Sequence, residues 1–196
     1  MVKFKLIIGI VVLSLFLLNS CASSLDKNNV NEAIEFGKQH KFDFLSVSYI
    51  IKSPNCEEKS QPYCAYDYED LIMYTPFMSV AFAAANKAKN YEELSQADIK
   101  DLKRDSLVVT VSAKGRSDYE AEDASAVIKY DNEVIKAIKA PTYASVDDCT
   151  EVYCTYSAIQ YYTFDDFSKF KDKKIKFVII RQYGEKEYEI DMTKYK

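Results

Sequence analysis

The chain has 196 residues, with 26 basic side chains against 30 acidic ones and a net charge of −4. An acidic balance without a basic cluster excludes a nucleic-acid partner, which calls for a gathered positive face. With 16 tyrosines and 11 phenylalanines in a sequence that is 48% hydrophobic, a long disordered tail is excluded too, and a folded body is expected.

The chain begins with a basic tip, Lys3 and Lys5, followed by an apolar run from Leu6 to Leu18 and then Asn19-Ser20-Cys21. That run is 13 residues long and is interrupted by Gly9 and Ser14. Crossing a hydrocarbon core takes about 20 apolar residues, and a shorter run behind a positive tip is the h-region of a secretion signal. On these residues the start of the chain resembles the bacterial lipoproteins. Their lipobox is an aliphatic residue, a tolerant position, a small residue and an invariant cysteine, here Leu18, Asn19, Ser20 and Cys21. The resemblance implies that the Cys21 thiol receives diacylglycerol, that residues 1–20 are removed as a signal peptide, and that the new amino terminus is acylated with a fatty acid such as palmitate. Two or three acyl chains hold a protein stably where one holds it marginally, at about 0.8 kcal/mol per buried CH₂. Residue 22 is Ala and not Asp, which by the family's sorting habit implies the outer membrane of a Gram-negative cell.

The mature chain would then be residues 21–196, with a net charge of about −6 once the two leading lysines are gone. That length suits one domain, and that charge leaves the lipid to do the tethering without a polybasic patch. Residues 21–29 read as the lipidated cysteine and a short polar tether, and residues 30–196 as a single globular domain. Asn29 with Glu32 gives a capping-box-like helix start, and Ala33, Ile34 and Phe36 predict a short amphipathic helix to about Lys41. Leu45, Val47, Tyr49 and Ile51 alternate with Ser46 and Ser48, the period of a half-buried strand.

After a first polar, cysteine-bearing loop, Leu71 to Tyr74 predict a short strand ended near Pro76. The alanine-rich stretch from Phe77 to Lys89 favours helix, and Ser95 with Asp98 supplies another cap, so residues 77–104 predict a helical excursion. From Leu107 the pattern is β. Leu107, Val109, Val111 and Ala113 alternate; an acidic loop spans Arg116 to Asp123; Ala126, Ile128 and Tyr130 lead through the turn Asp131-Asn132 into Glu133 to Lys139. Beyond a second cysteine loop come Tyr156, Ala158, Tyr162 and Phe164, a turn from Asp165 to Lys171, then Ile175, Phe177 and Ile179, and a turn at Gly184 into Tyr188 and Ile190. Six to eight strands in meander order, without a βαβ rhythm, predict a mainly β fold with a few helices: an antiparallel β-sandwich of immunoglobulin-like kind.

Cys56, Cys64, Cys149 and Cys154 remain once Cys21 carries lipid, an even number in an oxidising compartment, which reads as two disulfides. Local pairing, Cys56 with Cys64 and Cys149 with Cys154, closes loops of 9 and 6 residues at about 2 to 3 kcal/mol each. A long-range pairing would contribute about 4.7 kcal/mol, but both pairs sit in polar, loop-like segments where nearby thiols meet first, so local pairing is preferred. Zinc is the competing use, and it usually wants two to four residues between paired cysteines. Seven residues separate Cys56 from Cys64 and four separate Cys149 from Cys154, so no metal site is assigned.

Chemistry is otherwise sparse. The one histidine, His40, falls near a helix end where a cation suits the dipole. No G-x-S-x-G elbow or phosphate loop is present. The acidic clusters Asp118, Glu120, Glu122, Asp123 and Asp67, Glu69, Asp70 read as solvated loops; they lack the EF-hand spacing that would make calcium the better reading. Neither a catalytic set nor a cofactor is expected. Tyrosine is the remaining candidate: Tyr63, Tyr66 and Tyr68 beside the first cysteine pair, Tyr153 and Tyr156 beside the second. A rigid apolar ring with a polar tip suits an interface, although strand propensity also places tyrosine here. The expectation is a non-enzymatic, lipid-anchored cell-envelope domain contacting a protein or glycan of the envelope or of a host. Small-ligand or glycan binding is the alternative, and hydrolysis a distant third.

Overall fold

A computed structural model describes residues 25–51, 70–150, 154–182 and 184–196. Helix α1 (Lys27–Gln39) starts earlier than the sequence suggested. Asp26 is its N-cap and accepts from the Asn29 backbone at 2.8 Å, so residues 27–29 belong to the helix and not to a tether. The expected strand over residues 45–51 forms only in its second half. The Ser46 and Ser48 hydroxyls donate back to the carbonyls of Asp43 and Phe44, which holds one helical turn, α2 (Phe44–Val47), ahead of strand β1 (Tyr49–Ile51).

Strand β2 (Leu71–Tyr74) leads through Thr75 into helix α3 (Pro76–Lys89). Thr75 caps α3 and Pro76 opens it, the position where a missing N–H costs nothing. Helix α4 (Gln96–Leu102) carries the capping box of Ser95 and Asp98. The helical excursion therefore stands as expected.

Strand β3 (Ser106–Gly115) is followed not by a loop but by a short helix, α5 (Asp118–Glu122), whose N-cap Ser117 accepts from the Glu120 backbone. Strands β4 (Ala124–Tyr130) and β5 (Glu133–Lys136) form a hairpin whose turn residues, Asp131 and Asn132, both take positive φ. Then follow β6 (Ile138–Lys139), β7 (Ser145–Cys149), β8 (Cys154–Asp165), a 3₁₀ turn (Phe167–Lys169), β9 (Lys174–Arg181), β10 (Gly184–Asp191) and a last 3₁₀ turn (Met192–Lys194).

The protein is a mainly β, two-sheet antiparallel sandwich with a helical layer. One sheet runs β1-β2-β3-β8-β6, with β7 also pairing β8; the other runs β10-β9-β4-β5. This order is not the expected meander. Strands β3 and β8, far apart in sequence, pair along ten residues, from Ser106 opposite Asp165 to Gly115 opposite Tyr156. The chain also changes sheet between β5 and β6, at Ala137.

Alternation does the sorting. Leu71, Met73, Leu107, Val109, Val111, Tyr162 and Phe164 of the first sheet pack against Ala126, Ile128, Tyr130, Ile175, Phe177, Ile179, Tyr188 and Ile190 of the second. A second core, built from Val30, Ala33, Phe44, Phe77, Met78, Val80, Ala81 and Ala85, joins α1 to α3. Gly37 lets the two helices touch: a Cβ there would lie 2.1 Å from the Ala81 carbonyl oxygen.

Candidate contact surface

The two outer faces of the sandwich are finished differently. On the β10-β9-β4-β5 sheet, outward Lys176 pairs with Glu187 at 3.1 Å and Glu189 at 3.8 Å, and Lys129 reaches Glu185 and Glu187 at 3.5 and 3.6 Å. The outward valines Val127 and Val178 lie in one cross-strand row with Lys136 and Glu187. Both valines are buried, as expected where long charged side chains lay their stems over apolar neighbours.

Among the described residues the other sheet has no such roof of ion pairs, although Thr110 at its centre is buried. Its outward residues form three consecutive rows: Tyr74, Val108, Thr163 and Ile138; Ile50, Ile72, Thr110 and Tyr161; Ser112 and Ile159. None of these residues is charged. Ile159 is 56% exposed, Tyr161 44% and Ile138 61%. Charge returns beyond the rows, at Asp165 on one side and at Lys114 on the other, where Lys114 Nζ meets Asp147 at 2.7 Å. Toward the helices the face continues into aromatic rings, Tyr74 to Phe82 at 5.4 Å and Phe82 to Phe44 at 5.4 Å. Burial raises the Tyr74 hydroxyl pKa, and Tyr161 raises it further.

At the far end of the same sheet stands the β7–β8 hairpin. All five residues of β7 are exposed, which is why so polar a segment read as loop. Cys149 lies directly opposite Cys154 in the ladder, and the two form a disulfide, so this staple is local. Tyr156 sits half-buried opposite the exposed Val146, on the side of the strand that leads into the core. Of the other positions singled out in the sequence, Cys21, Cys56, Cys64, Tyr63, Tyr66, Tyr68 and Tyr153 lie outside the described residues. The structure thus brings Cys149, Cys154 and Tyr156 together at one hairpin.

Sequence reading missed the neutral face itself. A signal for it was present: in the run from Ala158 to Phe164 the positions between inward residues are Ile159, Tyr161 and Thr163, where a solvent-facing strand would carry charge.

Beneath the hairpin lies a buried polar cluster. Gln160 is fully buried; its Nε2 donates to the Ala121 carbonyl and its Oε1 accepts from the Tyr162 hydroxyl. Burial pushes the Tyr162 pKa far up, with Asp123 adding to the effect. Lys139 Nζ donates to the carbonyls of Glu122 and Ala124. Burial draws its pKa down against the pull of Asp123 and Glu122. Glu120 and Glu122 accept from the backbones of Arg116 and Ala144 at 2.8 and 2.7 Å. These groups bind α5 to the sheet, and their donors and acceptors point at one another.

No group of three or more His, Cys, Asp or Glu side chains is placed to hold a metal among the described residues. His40 caps α1, its Nδ1 lying 3.2 Å from Asp43 and its ring 4.7 Å from Phe36. No helix among the described residues is long and apolar enough to cross a membrane.

By fold, the described residues define a two-sheet sandwich with a helical layer, one sheet face neutral and bordered by a disulfide-stapled hairpin. No protein-family model matches the chain, and neither does any curated protein or solved structure.

Proposed function

We propose that this protein is a lipid-anchored cell-envelope domain that binds another macromolecule of the envelope or of a host, without catalysis, through the neutral sheet face and the stapled hairpin beside it. Cys21 carries the lipid, and the outer membrane is the location in a Gram-negative cell. The three uncharged rows across β1, β2, β3, β8 and β6 carry the reading. An apolar patch rimmed by polar groups, on a sandwich whose other sheet carries ion pairs across its outer face, is the signature of a docking face. A flat, sheet-based face suits a protein partner better than a small molecule, which is held in a cleft. Ordering costs are low on such a face, because sheet pairing fixes the backbone and a disulfide holds the neighbouring hairpin.

The test is site-specific photocrosslinking in growing cells. A photoreactive residue at Ile159 or Tyr161 is expected to capture a discrete partner, whereas one at Glu187 on the charged sheet captures none. Equal yields from both faces would overturn the assignment of the surface. Metabolic labelling with a fatty acid, compared between the native chain and Cys21→Ser, tests the anchor separately.

A further inference from the structure

We propose that a knuckle of Lys41, Phe42, Leu45 and Tyr91 seats on the head-group layer of the bilayer that holds Cys21, giving the domain a second membrane contact. The inference rests on the lipid anchor named above. Phe42 is 82% exposed, Leu45 60% and Tyr91 93%; Phe42 lies between α1 and α2, Leu45 in α2, and Tyr91 just after α3. Lys41 joins Phe42 to Tyr91: its Nζ lies 5.1 Å from the centroid of the Phe42 ring and 5.6 Å from that of Tyr91.

Tyr91 is the telling residue. It follows the α3 C-cap Asn90 with φ of 59°, the left-handed position that glycine or asparagine fills most cheaply. A tyrosine there accepts backbone strain, and at 93% exposure its ring gains almost no burial within the fold. An outside contact is what would compensate it. Exposed aromatics around a lysine whose stem is apolar and whose head is charged match the chemistry of the membrane interface.

The local charge is compatible with that partner. Lys38, Lys87 and Lys89 lie in the last turns of α1 and α3. Lys38 pairs with Glu35 and Lys87 with Glu92, and with Lys41 and Lys89 set against Asp43 and the exposed Glu93 the formal charges of this end balance.

The anchor and the knuckle stand at opposite ends of α1. Leu25, packed on the helical core, and the N-cap Asp26 mark the end nearer Cys21, and Lys41 and Phe42 follow the other end of a helix of 13 residues, about 20 Å long. A domain resting with α1 along the bilayer plane therefore presents both ends to the same head-group layer.

The chain contains no tryptophan, so a single introduced one is a clean reporter. Full-length lipidated protein carrying Phe42→Trp, Tyr91→Trp or Val134→Trp would be reconstituted in phosphatidylethanolamine–phosphatidylglycerol vesicles with brominated acyl chains, and the Cys21 adduct read by mass. Val134 is an exposed residue of β5, on the other sheet. The expected result is a blue shift and quenching for the Phe42 and Tyr91 reporters and neither for Val134. Adding Lys41→Glu to the Phe42→Trp protein is expected to reduce the quenching several-fold. Protein that carries the lipid and floats with the vesicles, yet leaves the Phe42 and Tyr91 reporters in water, overturns the knuckle and leaves the anchor standing. Protein with an unmodified Cys21 that does not float overturns both.

Discussion

Tyr130 ends β4 with its ring 5.9 Å from that of Phe170 and its hydroxyl donating to Glu133 Oε2 at 2.7 Å. That hydrogen bond, followed by burial and the nearby carboxylates, pushes its pKa from 10.0 to about 12. The folded state therefore holds this proton more tightly than the unfolded chain does. The stability it contributes is complete below pH 10 and disappears as the pH rises through about 12. Denaturant melts taken across that window are expected to lose stability less steeply in Tyr130→Phe than in the native chain; identical slopes would show that another group governs alkaline unfolding. Lys139 offers a second test at this scale. Hydrogen bonds from a charged donor contribute about 1.5–3 kcal/mol, and Lys139 spends its donors on the last carbonyls of α5 and the first of β4. Lys139→Met keeps the apolar stem and removes the donors. A loss of about 2 kcal/mol in urea unfolding, with faster amide exchange in α5, is the expected outcome.

At the scale of elements, the contact between α1 and α3 depends on one missing side chain. A Cβ at Gly37 would lie 2.1 Å from the Ala81 carbonyl oxygen and 3.0 Å from the Ala84 Cβ, both on a rigid helix. Gly37→Ala must push the helices apart, and a cost near the upper end of the overpacking range, about 3 kcal/mol, is expected in thermal or urea melts. The stapled hairpin has a different source of stability. Cys149–Cys154 closes a six-residue loop, for which chain entropy gives about 2 kcal/mol. Replacing both cysteines with serine should lower stability by that amount and increase exchange in β7 before β3. Elements with a regular apolar period, β3, β4 and β9, were legible in the sequence, as were α3 from its alanine richness and the turn at Asp131-Asn132 from its two turn-forming residues. Those set by side-chain-to-backbone bonds were not. Ser46 and Ser48 turned half a predicted strand into α2, and Ser117 started α5 inside a predicted loop. Strand β7 escaped notice because it buries none of its five residues. The pairing of Cys149 with Cys154 was legible because closeness in sequence limits the partners a thiol meets. The neutral face was not, because apolar residues on both sides of β2 and β8 look the same in sequence whether or not anything covers them.

At the scale of the molecule, two cores share few residues, and Tyr49 is the joint. Its ring packs against both the sandwich core and the helical core, lies 4.8 Å from the Tyr195 ring, and its hydroxyl accepts from the Lys196 backbone at 3.2 Å. Lys196 in turn accepts at its carbonyl from Thr75, the buried cap of α3, pairs with Glu32 of α1, and sets its Nζ 5.1 Å over the Phe77 ring. The C-terminal residues thus fasten the helical layer to the β1–β2 end of the sheet, about 23 Å along β3 from the stapled hairpin at a rise of about 3.3 Å per residue. Cores of unequal size opening separately is the expected behaviour once such a joint is cut, because local openings follow the weaker unit. Tyr49→Ala removes the ring from both cores and leaves Lys196 without its acceptor, whereas Tyr49→Phe removes only the hydroxyl. Native-state hydrogen exchange is expected to show α1 and α3 in Tyr49→Ala opening at lower free energy than β3 and β8, with Tyr49→Phe closer to the native chain. Equal loss of protection in both layers would mean that the sandwich and helices open as one cooperative unit, and that the joint lies elsewhere, in the packing of Tyr74 and Phe82.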